Sequence, residues 1–255
     1  MRVCLAGITG WVGRPLAEAI RKSSDLQLVA AVSRSARGMT IEGVIVSGSV
    51  AEALATPSDV FVDYTSADVV KGNVLAAIEG GRHVVVGSSG LTDDDFADID
   101  RAARERKVAV VAVGNFAIAS ALLQRFAAEA QPHFPTWEIL DYAHDSKPDA
   151  PSGTARELAW KLAQSGKISK PAIPLEDTVG GTASRGATIG AQQVHSIRLA
   201  GHTIGVEVLF GRNDERLSIR YDGGTSAEPY IEGTLLAIRR VSQRTGVTRG
   251  LDALL

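Results

Sequence analysis

A chain of 255 residues with 27 basic and 29 acidic side chains has a formal net charge of -2, so no bulk charge draws it to nucleic acid or an anionic membrane. That length suffices to bury a sizeable core in two unequal domains. The single cysteine, Cys4, excludes an intramolecular disulfide and a cysteine-cluster metal site. With no apolar run near the roughly 18 residues of a membrane span, and no signal-peptide core, a cytoplasmic protein is expected.

The first half alternates short β-branched runs with helix-period stretches. Val3–Ala6, Leu28–Val32, Val60–Asp63, Val84–Val86 and Val108–Val113 read as strands, with helices over about 11–23, 66–79 and 92–105. The strands are apolar at nearly every position, as parallel strands covered on both faces must be, so a doubly wound α/β sheet is predicted. Ser66 and Thr92 read as helix caps, the latter followed by Asp93, Asp94 and Asp95.

Beyond Gly114 the pattern changes. A helix near 117–130, a strand from Trp137 to Tyr142 and a helix from Ser152 precede a Gly/Pro/Thr-rich stretch over 168–188. Val194–Ala200 and Thr203–Phe210 flank Gly201-His202 and read as a hairpin, to which Arg216–Tyr221 adds a third antiparallel strand. Ser226 reads as the cap of a helix over about 228–243 that returns to the first domain. A cofactor domain over 1–114 and 223–255 is therefore expected, with an inserted α+β mixed-sheet domain for substrate binding and oligomerisation over 115–222.

Gly7-Ile8-Thr9-Gly10-Trp11-Val12-Gly13 lies between a predicted strand and helix, the setting in which glycines let backbone and helix N–H groups approach a pyrophosphate. Thr9, Gly10, Trp11, Val12 and Gly13 join Gly7 as candidate dinucleotide contacts. After the second strand stands Ser33-Arg34-Ser35-Ala36-Arg37 in place of the acid that would accept from a ribose 2′-OH. Arg34 and Arg37 can pair with a 2′-phosphate, which predicts NADPH, with NADH as second choice. Gly87, Ser88 and Ser89, and Asn115 and Phe116, follow later strands at the edge where open α/β sheets bind ligands.

The densest polar segment runs from Asp141 to Ala155. Ser152-Gly153-Thr154 at a helix start offers N–H groups, hydroxyls and a positive dipole end to a carboxylate, and His144 and Lys147 stand just upstream. Lys147 and His144 are the candidate proton donors, with Tyr142 third. His195 is either a relay or a hydrogen-bonded sheet residue. No histidine pair has metal-ligand spacing, and no metal is expected.

The run Lys147-Pro148-Asp149-Ala150-Pro151-Ser152-Gly153-Thr154-Ala155 resembles the K-x-D-A-P-S-G-T-A signature of the 4-hydroxy-tetrahydrodipicolinate (dihydrodipicolinate) reductase family. The glycine loop, Gly87-Ser88-Ser89-Gly90, Asn115-Phe116 and Val194-His195-Ser196-Ile197-Arg198 resemble further family segments in the same order. The resemblance implies a Rossmann-like domain, NAD(P)H use, a planar dicarboxylate substrate, a place in lysine and diaminopimelate biosynthesis, and commonly a homotetramer. It also implies that Lys147 assists protonation, that Ser152, Gly153 and Thr154 grip a substrate carboxylate, and that His144 is the second of a histidine pair. The first of that pair, the family's usual proton donor, falls on Ala143, and the usual S-R segment near the last helix is replaced around Ala227. Two alternatives stay open: a same-fold reductase for another cyclic imine or unsaturated acid, and a cofactor-binding homologue without turnover.

Overall fold

The computed structural model describes residues 1–255, which divide into two compact units, 1–118 with 227–255, and 119–226. In the first unit the order is β1 (Arg2–Ala6), α1 (Gly13–Lys22), β2 (Gln27–Val32), β3 (Thr40–Ile41), β4 (Val44–Ser47), α2 (Val50–Leu54), β5 (Val60–Asp63), α3 (Val70–Glu79), β6 (His83–Val86), α4 (Asp93–Glu105) and β7 (Ala109–Ala112). The second unit holds nearly all of α5 (Ile118–Ala130), then β8 (Thr136–Ala143), α6 (Gly153–Ala163), β9 (Ala187–Ile189), β10 (Gln192–Arg198), β11 (Ile204–Arg212) and β12 (Glu215–Gly223). The chain then returns to the first unit through α7 (Glu228–Arg240) and β13 (Gly246–Arg249).

The first sheet runs β13-β7-β6-β5-β1-β2-β4-β3 and is parallel except for the β3–β4 pair. β5 and β7 are buried end to end, as their Val, Ala and Phe content demands of strands sandwiched between helices. The chain steps from β1 outward to β2, then returns to β5 on the other side of β1. The switch point therefore falls beside the end of β1, where the glycine loop begins. Thr92 and Asp95 form a reciprocal capping box that fixes the start of α4. On α7, a Cβ at Gly233 would sit 1.9 Å from the Phe116 carbonyl oxygen, so only glycine lets that helix lie so close.

Two expected caps are absent. Ser66 gives its hydroxyl to Asp68 and α3 becomes regular only at Val70, while α7 starts after Ala227 without a side-chain cap from Ser226. The short elements β3, β4, α2, β9 and β13 have too few residues to show a period.

The second sheet runs β12-β11-β8-β10-β9. The expected hairpin around Gly201-His202 does not form. β8 lies between the two strands, parallel to β10 and antiparallel to β11. The eight-residue β8 has pairing partners along both edges and takes the centre, a tertiary gain that outweighs the local turn signal. The hairpin in this sheet joins β11 to β12 through Asn213-Asp214, with Asp214 at φ 56°. Along β8, Trp137, Ile139, Asp141 and Ala143 point to the face covered by α6, where Leu158 and Leu162 are fully buried and each contributes about 1.5–3 kcal/mol of transfer energy. Glu138, Leu140 and Tyr142 point to the other face.

Candidate functional site

In the first unit a cleft of about 540 Å³ opens at the carboxyl edge of the sheet. Gly7, Thr9 and Arg34 line it, together with Thr65, Ser66 and Asn73. Gly7 has φ 86°, and a Cβ there would sit 2.1 Å from the Tyr64 carbonyl oxygen. A Cβ at Gly13 would meet the Gly7 carbonyl oxygen at 2.0 Å, so strand end and helix start are packed backbone to backbone. Gly10 N–H donates to the Gly7 carbonyl at 2.8 Å and closes the loop. Val12 gives α1 no side-chain cap; Arg14 N–H donates to the Gly10 carbonyl at 3.1 Å and Pro15 has no N–H, so the amides left for an anion are those of Val12 and Gly13, ahead of Arg14. Trp11 is exposed and meets Tyr230 edge-on at 5.5 Å. Such a bare glycine-built helix start beside a cleft fits a pyrophosphate and its attached ribose.

The end of β2 separates the two arginines. Arg34 is exposed at the cleft, beside the hydroxyl chain Thr9–Ser33 (2.9 Å) and Ser33–Ser35 (3.2 Å). Arg37 is turned to Glu52 at 2.7 Å and does not line the cleft.

Asp63 was not among the expected site residues, yet it organises this edge. Fully buried, its Oδ1 accepts from Thr65 N (3.0 Å), Thr65 Oγ1 (2.6 Å) and Ser88 Oγ (2.5 Å), and its Oδ2 accepts from Asn73 Nδ2 (2.9 Å). Ser88 thereby ties the loop after β6 to that after β5. Gly87 N–H donates to the Asp63 carbonyl at 2.9 Å, and Ser89 is exposed. Asn115 is buried and its Oδ1 accepts from Ala117 N at 2.9 Å, while Phe116 is a core ring 5.9 Å from Tyr64. The available signal was an acid closing an otherwise apolar strand.

In the second unit the polar segment joins β8 to α6. Ser152 caps α6, its Oγ accepting from Ala155 N at 3.3 Å, and Ser152 and Thr154 are buried with Gly153 between them half-buried. The Ala150–Pro151 peptide is cis. Lys147 Nζ lies 2.7 Å from Asp149 Oδ1. Burial alone would raise the Asp149 carboxyl, but the Lys147 hydrogen bond and charge outweigh it and hold the group below its ordinary value. His144 is exposed, with Nδ1 2.8 Å from both Ser146 Oγ and Asp145 Oδ1.

Behind that turn, Asp141 Oδ2 accepts from Ser152 N (2.8 Å), Ser196 Oγ (3.0 Å) and Arg198 Nη2 (2.8 Å). The opposite face carries the remaining candidates. Tyr142 donates to Glu207 Oε2 at 3.0 Å, and burial together with that acceptor raises its pKa. His195 Nε2 lies 2.7 Å from Glu138 Oε2. Neither shares a sheet face with Asp141 and Ser196, which separates both from the turn's support.

Residues 1–116 match the family described as dihydrodipicolinate reductase, N-terminus, and residues 117–255 match its C-terminus. The chain is 36% identical to a 4-hydroxy-tetrahydrodipicolinate reductase of Moorella thermoacetica, covering 100% of this chain and 98% of that one. It is 34% identical to the enzyme of that name from Streptococcus mutans, covering 100% and 99%. Among solved structures it resembles a dipicolinate-bound dihydrodipicolinate reductase from Paenisporosarcina sp. TG-14, with TM-score 0.80, 27% identity and coverage of 100% and 99%.

Proposed function

Since the chain belongs to the dihydrodipicolinate reductase family, we propose that it reduces 4-hydroxy-tetrahydrodipicolinate to tetrahydrodipicolinate with NAD(P)H, in lysine and diaminopimelate biosynthesis. The observation that carries this reading is the intact turn from Lys147 to Thr154, fixed on α6, in a chain whose other unit carries a glycine-built dinucleotide cradle.

Bound nicotinamide supplies a hydride. Across the reaction a hydride and a proton are added and the 4-hydroxyl leaves as water. Ser152, Gly153 and Thr154 hold one substrate carboxylate at the positive end of α6. Lys147 presents ammonium protons and a positive charge where negative charge develops on the substrate, and His144 offers a second proton-bearing group. The unit of residues 1–118 and 227–255 serves the cofactor, and that of 119–226, a few residues inside the expected bounds of 115–222, serves the substrate and subunit contacts.

In the first unit, Gly7, Thr9, Gly10, Trp11, Val12 and Gly13 hold the pyrophosphate side, with Gly87, Ser88, Ser89, Asn115 and Phe116 toward the nicotinamide. Exposed Arg34, with no acid at the end of β2, supports NADPH over NADH. Arg37 reaches a 2′-phosphate only by leaving Glu52. The family resemblance supports a homotetramer, in the cytoplasm that the lone cysteine suits.

Ala143, fully buried where the family's proton-donor histidine stands, favours a second reading, a same-fold reductase for another cyclic imine. The test is a coupled assay in which freshly made 4-hydroxy-tetrahydrodipicolinate is offered with NADPH and oxidation is followed by absorbance. Turnover supports the first reading, and turnover only with other cyclic imines supports the second.

A further inference from the structure

The turn at the start of α6 is held only in part by its own segment. Three of its backbone groups are taken by side chains, one from α6 itself and two from the strands β8 and β10. Ser152 N–H donates to Asp141 Oδ2 at 2.8 Å, the Pro151 carbonyl accepts from Arg156 Nη1 at 2.7 Å, and the Asp149 carbonyl accepts from Arg198 Nη2. The same Arg198 nitrogen lies 2.8 Å from Asp141 Oδ2, and Ser196 Oγ donates to that oxygen at 3.0 Å. Asp141 is wholly buried and Arg198 nearly so, with side-chain exposures of 0% and 16%. Asp141 Oδ1 and Arg198 Nε are buried without a partner, so each charge depends on the other.

A buried ion pair of this kind is weak as a source of stability, because desolvation offsets the attraction, and here each partner also holds a backbone group of the turn. β8 and β10 are already joined along their length by the parallel ladder. We propose that Asp141 and Arg198 are positioning residues for the dicarboxylate: together they hold Asp149 and Ser152 at the spacing that aims the Ser152-Gly153-Thr154 turn at a carboxylate. Arg198 also brings the countercharge that keeps Asp141 from repelling that anion. This rests on the reading of the turn as the carboxylate site.

The test is calorimetric titration of the full chain with dipicolinate in the presence of NADPH, alongside NADPH titration alone. Asp141→Asn is expected to weaken dipicolinate about tenfold or more and to leave NADPH affinity within about twofold. Arg198→Lys, which keeps a charge beside Asp141, is expected to bind dipicolinate several-fold tighter than Arg198→Met. Thr154→Val serves as the control on the turn itself. If Thr154→Val weakens dipicolinate while folded Asp141→Asn and both Arg198 variants match the wild type, the positioning role is wrong and the turn reading stands. If Thr154→Val also has no effect, or the wild type does not bind dipicolinate, the turn reading fails and the positioning role falls with it. Should Asp141→Asn fail to fold, the Arg198 pair decides: equal affinities in Lys and Met variants overturn the proposal.

Discussion

Lys147 Nζ rests 2.7 Å from Asp149 Oδ1, so the cation assigned to assist protonation is held by a carboxylate of its own segment. The pair fixes the ammonium at the approach to the Ser152 turn without burying it fully. Lys147→Ala is expected to lower kcat by about a hundredfold or more, within the range general-acid groups supply, with a smaller change in KM for NADPH. Steady-state kinetics with both substrates varied measures this. A near-normal kcat would assign the proton to another group, His144 first.

The same pair sets a pH dependence. Asp149 has a folded-state pKa below its unfolded value of about 3.9, so its contribution to stability is in force above that value and is lost as pH falls through the folded pKa. Replacing Lys147 with Gln is expected to raise the Asp149 pKa, read by carboxyl NMR titration. The stability difference between wild type and variant should shrink on acidification. An unchanged Asp149 titration would mean that Lys147 does not hold that carboxylate in solution.

Arg34 and Arg37 are expected to behave differently. Arg34→Ala should raise KM for NADPH by about tenfold or more and change KM for NADH by less than about twofold, since a charge-assisted bond to the 2′-phosphate is lost only with NADPH. Arg37→Ala should change either KM little, because its guanidinium is paired with Glu52. Equal losses for both cofactors in Arg34→Ala would mean that Arg34 does not read the 2′-phosphate.

Gly13→Ala places a Cβ 2.0 Å from the backbone oxygen of Gly7, a contact that no side-chain rotation relieves. The expected results are a stability loss on the order of 1–3 kcal/mol by chemical denaturation and at least a tenfold weaker NADPH affinity. A variant that binds NADPH normally would show that the loop can shift without cost.

Much of this was legible in the sequence for physical reasons that can be named. The valine-rich runs have only one stable placement, between helix layers, and three glycines between a strand and a helix record a backbone contact that the structure shows at Gly13 and Gly7. Thr92 and Asp95 are local and were readable as a cap. The order of β10 and β11 was not legible, because the choice between a hairpin and insertion of β8 depends on a strand about 50 residues earlier in the chain. Asp141 and Asp63 were missed for a related reason: each reads only as an acid at or near the end of an apolar strand until its donors, Ser152, Ser196 and Arg198 in one case and Thr65, Asn73 and Ser88 in the other, are brought together by the fold. Ser66 and Ser226 show the reverse error, a cap residue type that does not cap: Ser66 bonds Asp68, and α7 starts without a side-chain cap.

The most direct test of the central claim follows the hydride itself. With NADPH deuterated at the transferable position of the nicotinamide ring and 4-hydroxy-tetrahydrodipicolinate as substrate, mass spectrometry of the product should show tetrahydrodipicolinate carrying one deuterium per NADPH oxidised. Unlabelled product, or bound NADPH that is never oxidised by this substrate, would contradict the account.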